Sequence, residues 1–96
     1  MYVIKTYTRR KARTLRVKVE PSTRKNKKVK VTTREGKVFH IGHTDYTDYA
    51  SLLAAAGRSV GKRNLAEARR RKYRSRHRKS STRPNTAGYY AYNLLW

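Results

Sequence analysis

The sequence contains no cysteine, which leaves it no disulfide framework and no thiolate ligand for zinc. Acidic residues are nearly as scarce: Glu20, Glu35, Asp45, Asp48 and Glu67 are all there are in 96 residues. Long apolar runs are missing too. Nothing approaches the roughly 20 consecutive apolar residues that span a bilayer, so no transmembrane segment is expected. The opening Met-Tyr-Val-Ile-Lys has no signal-peptide core, which points to synthesis in cytoplasm or nucleus. Catalysis has little to work with. There is no Gly-x-Ser-x-Gly elbow, and there are too few carboxylates to orient a base. The expectation is therefore a protein that is not an enzyme, with no catalytic residues, no cofactor and no small-molecule substrate.

What the sequence has in excess is positive charge. Twenty-six Lys and Arg against five acids give a formal net charge of +21, and the mean hydropathy is −1.02. Self-repulsion on this scale opposes the compact state. It calls for a polyanion or a strongly acidic protein surface as partner. Eleven of the cations lie close together: Lys62, Arg63, Arg69, Arg70, Arg71, Lys72, Arg74, Arg76, Arg78, Lys79 and Arg83. These are the candidate polyanion- or partner-binding residues. Arg offers planar bidentate contacts to phosphate or carboxylate.

Most of those residues belong to a run, Asn64 to Lys79, with a helical pattern. Asn64 suits an N-cap and Glu67 the third position of a capping box. Leu65, Ala68, Tyr73 and His77 fall near one face, a narrow stripe expected to pack on the rest of the chain. Before it, the β-branched and aromatic Tyr2–Thr8 reads as a strand. So do the alternating segments Thr14–Glu20, Lys28–Thr33 and Lys37–Ile41. Arg34-Glu35-Gly36 is a tight turn, and Ser22–Lys27 is a basic loop. Asp48 opens a helix whose apolar face is Tyr49, Leu52, Leu53 and Ala56, with Thr44 or Thr47 as its cap. Gly57 and Gly61 bracket its end. Thr86 caps a last apolar helix, Ala87 to Leu95, expected to dock on the sheet and on the Tyr73 stripe. The fold class is thus α+β in one small basic domain, 1–96. A small antiparallel sheet of three to four strands (about 2–41) precedes two to three helices (about 48–56, 64–79 and 86–95).

Two weaker patterns fail on spacing. His40, His43 and Asp45, with Asp48 or His77, suggest a metal site, but residues three apart at a strand end do not converge; no metal is expected. Gly57 to Arg63 has three residues between its glycines where a phosphate-binding loop has four.

A resemblance rests on five short pieces in order. They are His40-Ile41-Gly42, Asp48-Tyr49, Tyr73-x-x-Arg76-His77, Thr86-Ala87-Gly88 and Leu94-Leu95-Trp96. The chain resembles, over about residues 28–96, a family of small basic uncharacterised proteins of giant viruses, the nucleocytoplasmic large DNA viruses. The structural signature carried over is Gly42, Asp48, Tyr49, Tyr73, His77, Gly88 and Trp96. The chain departs from the family by inserting Ala50 to Arg63. The resemblance implies a virion protein made in host cytoplasm or nucleus. Its expected role is that of a minor capsid protein cementing larger, acidic capsid subunits on the inner side of the shell. The alternative is a sequence-independent nucleic-acid-binding protein that holds the DNA backbone and packages the genome.

Overall fold

The first element is a helix where the propensities of Tyr2–Thr8 indicate a strand. In the computed structural model, which describes residues 2–96, α1 runs Thr6–Leu15. Thr8 and Ala12, four apart on the helix, are buried together with Ile4 just before it, and Leu15 packs against the same core. Burying that stripe outweighs a β-propensity that reflects packing more than backbone preference. Arg16 ends the helix in the left-handed region, at φ 58°. Its N–H donates to the Arg13 carbonyl and the Val17 N–H to the Ala12 carbonyl, a Schellman stop. The strand expected over Thr14–Glu20 therefore begins only at Lys18.

The fold is α+β: the N-terminal helix, a three-stranded antiparallel sheet, then three helices. Strands β1 (Lys18–Pro21), β2 (Lys27–Thr32) and β3 (Val38–His43) lie in sequence order, with Val29 opposite Ile41 and Val31 opposite Phe39. Gly36, at φ 87°, turns β2 into β3, as its position in the turn indicates. Val29, Val31 and Ile41 point into the core, while Lys30 stays on the other face beside Glu20. Lys28, by contrast, is a strand lysine whose side chain is buried.

Helix α2 (Tyr49–Ala56) is capped by Asp48, whose carboxylate accepts the Ser51 N–H at 2.7 Å; neither Thr44 nor Thr47 serves. Gly57 ends it at φ 53°. The next helix, α3, spans Val60–Arg76, four residues earlier at its start and three at its end than Asn64–Lys79. Ser59 is its cap, accepting from Lys62 N–H, so Gly61 and Asn64 lie inside it. Glu67 makes no capping box and instead accepts a hydrogen bond from the Tyr49 hydroxyl. After Arg76 the backbone leaves the α-helix and forms a 3₁₀ turn, Arg78–Thr82. Ser81 and Thr82 hydroxyls there bond the Arg78 and Lys79 carbonyls, a local competition that Ser and Thr offer to the helix.

Helix α4 (Ala87–Leu94) is capped by Thr86, whose hydroxyl accepts from Tyr89 N–H. It docks as its composition indicates. Leu94 and Leu95 are fully buried beside Tyr90, Val29, Val31 and Ile41. Each such side chain stabilises by about 1.5–3 kcal/mol relative to exposure. The carbonyls at the end of α4 lack helical partners and are satisfied from three other helices. Thr8 donates to Leu94 O, Ala50 N–H to Leu95 O, and Tyr7, Arg70 and Arg74 to Trp96 O. No helix among the described residues is long and apolar enough to cross a membrane.

Candidate polyanion-binding groove

Three elements meet at a groove of about 660 Å³. One wall is a flank of α3 carrying Arg69, Lys72, Tyr73 and Arg76, continued by His77. The other is the end of β3 and the loop to α2, with His43, Tyr46 and Thr47. Leu95, Trp96 and Ala91 close the floor, next to Gly42 and the buried pair Lys28–Asp48.

The rings are ordered by stacking. Tyr73 lies 4.3 Å from Trp96 at an interplanar angle of 5°, and 4.2 Å from His77 at 25°. This joins Tyr73 of α3 and His77 at its end to the chain's only tryptophan. Burial pushes the Tyr73 phenol above its usual value. Gly42 sits where β3 passes closest to α4, at φ 76°. A Cβ there would come within 2.7 Å of Leu95 Cδ1 and 3.1 Å of Lys28 Cδ, so no larger residue fits. Gly88 has a similar but milder constraint, since a Cβ would meet Ser80 Oγ at 3.2 Å.

Asp48 is the polar centre beneath the groove. It pairs with Lys28 at 2.8 Å, with side chains 7 % and 2 % exposed, and accepts a hydrogen bond from the Tyr2 hydroxyl at 3.1 Å. Lys28 also donates to the Tyr46 carbonyl, which pins the loop. The partner of Asp48 is thus a lysine of β2 rather than one of the many arginines. Burial pushes the Tyr2 phenol up to about 12, the Ser51 hydroxyl opposes, and the Asp48 carboxylate adds to the rise.

The eleven candidate cations divide. Lys62, Arg63, Arg69, Arg71, Lys72, Arg76, Arg78, Lys79 and Arg83 are exposed; Arg70 and Arg74 are half-buried and turn inward. Arg70 Nε donates to Trp96 O at 2.7 Å, and its guanidinium lies 4.7 Å from the Tyr49 ring centre. Arg74 donates to the same carbonyl at 3.1 Å and lies 5.0 Å over Tyr92. The face of α3 that packs inward therefore carries Ala66, Arg70 and Arg74, not the stripe Leu65, Ala68, Tyr73 and His77. Ala66 is fully buried, whereas Leu65 is 56 % exposed and His77 lies at the surface. Tyr73 does pack, from the flank. The arginine stems make this possible, since they are apolar up to the guanidinium. A signal was present in the order Ala66, Arg70, Arg74, but counting arginine as wholly polar hides it. Lys11, close to both arginines, is held below its usual value first by burial and then by their charge.

The remaining candidates separate. His40 exchanges a 2.7 Å hydrogen bond with Ser22, on the sheet, while His43 Nδ1 accepts from the Asp45 N–H. Among the described residues no three His, Asp or Glu side chains form a metal-ligand set. The Gly57–Arg63 segment is the junction between α2 and α3, with Gly61 helical.

Residues 17–51 match a family of unknown function (DUF5754). The matched segment holds the whole sheet, Gly42, Asp48 and Tyr49, and it stops short of α3. No curated protein and no solved structure matches the chain.

Proposed function

We propose that the protein is a minor structural component of the particle of a large DNA virus. In this reading it is a non-enzymatic basic protein that cements larger, acidic capsid subunits on the inner side of the shell. The observation that carries it is the uncompensated cationic surface of α3 and the 3₁₀ turn. Eight exposed Lys and Arg stand there, with Arg83 just beyond, and the only acid in the segment, Glu67, is already engaged by Tyr49 and Arg70. Such a surface repels itself, and an acidic surface laid against it relieves the repulsion. The virus particle itself comes from the resemblance of residues 28–96 to small basic giant-virus proteins. Of the residues that carry it, Gly42, Asp48, Tyr49, Tyr73, Gly88 and Trp96 are packing and capping positions in this fold, which leaves the charges as the surface for a partner.

A second reading, genome packaging through the DNA backbone, is favoured by one specific feature: cations and rings meet in one groove. Fractionation separates the two. Purified particles are opened gently, digested with nuclease and sedimented at moderate salt, and the chain is followed by mass spectrometry. A capsid component stays with the shells after the genome has gone. Release with the digested nucleic acid overturns the capsid reading in favour of packaging.

A further inference from the structure

The groove lining leaves two surfaces open once the packing is complete. One is ring surface. Tyr46, across from the stacked Tyr73 and Trp96, is 72 % exposed, edge-on to His43 at 5.4 Å. The other is charge. Arg69, Lys72 and Arg76 are exposed, and no carboxylate among the described residues forms an ion pair with them. The one carboxylate on the lining, Asp48, is neutralised by Lys28. The volume of about 660 Å³ falls in the range of roughly 300–1,000 Å³ typical of ligand sites.

We propose that this groove binds a nucleobase together with its adjoining phosphate. The base lies on the exposed ring of Tyr46, beside the Tyr73–Trp96 stack, and the phosphate meets Arg69, Lys72 and Arg76. Every base has a face that stacks on an aromatic ring, and guanidinium matches phosphate in bidentate geometry. A duplex keeps its bases paired and stacked, so the site takes an unpaired nucleotide, either free or within a single strand. The proposal goes beyond the capsid reading and does not depend on it: a shell protein could carry the site or lack it.

Trp96 is the only tryptophan in the chain, so its fluorescence reports on this groove. The whole protein is titrated with a short oligothymidylate, with a duplex of equal length, and with AMP. The single strand is expected to quench Trp96 and to bind at least about tenfold more tightly than the duplex, since stacking of this kind is sequence-tolerant but needs open bases. Quenching by AMP in the same range identifies a free nucleotide as the source; failure of AMP to compete identifies the strand. Two charge-reversed variants keep the comparison fair. Lys72→Glu with Arg76→Glu, in the groove, should weaken strand binding at least about tenfold more than Arg63→Glu with Arg71→Glu, which changes net charge equally outside it. Tyr46→Ala, at an exposed position, should cost about tenfold more for the strand than for the duplex. Equal losses in the two charge-reversed variants, or a duplex bound as tightly as the strand, overturn the proposal.

Discussion

One helix carries arginines of two kinds. Arg70 and Arg74 turn inward, bond Trp96 O and lie over tyrosine rings. Arg69 and Arg76 sit on the flank and remain exposed with Lys72. A step of one residue rotates a side chain by about 100° around the axis, and that rotation decides whether a guanidinium holds the fold or faces a partner. The same division separates the lysines: Lys28 is sealed against Asp48, while Lys72 is open to water. A net charge of +21 thus overstates the surface available for binding, because several cations are structural parts with partners of their own.

The contrast is sharpest at Lys28. Its replacement by Ala leaves Asp48 buried without a counter-charge, and breaking a buried pair from one side costs about 3–5 kcal/mol. Against a typical total of roughly 5–15 kcal/mol, chemical denaturation of Lys28→Ala should show a protein near the edge of unfolding. An unchanged midpoint would mean that the pair is dispensable. Arg70→Ala comes next, at about 2 kcal/mol, from a charge-assisted hydrogen bond and the contact over Tyr49. Arg74→Ala should cost less, about 1 kcal/mol, because Arg74 Nε is buried without a hydrogen-bond partner. The reverse order in thermal or urea unfolding would place the clamp on Trp96 O with Arg74.

Much of this fold is legible in the sequence. The alternation of β2, the Gly36 turn, the Thr86 cap and the docking of Leu94 and Leu95 all follow from local chemistry. So does the α+β class. The N-terminal helix is not legible from propensity, because Thr6 and Tyr7 continue the strand-like run from Tyr2, and within the helix only the spacing of Thr8, Ala12 and Leu15 tells otherwise. The start of α3 is hidden by Gly61, which reads as a stop but lies exposed inside the helix with open space around its Cα. The cationic surface is plain from composition. Its division is not, since Arg70 and Arg74 differ from Arg69 and Arg76 only in which way the helix turns them. The buried Lys28–Asp48 pair is equally hidden, because the two residues are brought together by the β3–α2 loop rather than by spacing.

Alkali tests the buried side of the comparison more gently. The Tyr2 phenol titrates near 10 when unfolded and about 12 when folded. A group whose folded value is raised stabilises fully below its unfolded value and loses that contribution as the pH climbs through the folded one. Stability should therefore fall between about pH 10 and 12. Tyr49, Tyr73 and Tyr90, all raised chiefly by burial, act with the same sign. At the other end His40 is lowered, first by burial and then by Arg24, Lys30 and Lys27. Its neutral form is the one the fold prefers, so a contribution present above about 6.5 is lost as the pH drops below it. Tyr2→Phe should flatten the alkaline slope measured by urea midpoints across this range, and leave the acid limb as it was. An alkaline slope identical to that of the parent would remove Tyr2 from the account.

The exposed cations should give the smallest effect, and its sign is informative. Arg69 and Lys72 are three apart on α3, and Lys72 and Arg76 four apart. Like charges at those spacings repel by a few tenths of a kcal/mol each. Replacing all three with Ala removes the repulsion and improves helix propensity slightly. The triple variant should match the parent within about 0.5 kcal/mol per site, or exceed it slightly at low ionic strength. The gain should shrink as salt rises past about 0.1 M, where the screening length falls to roughly 10 Å. Salt should likewise stabilise the parent more than the variant. A triple variant as damaged as Arg70→Ala would show that the flank is also part of the fold, and the division between holding and binding arginines would no longer stand.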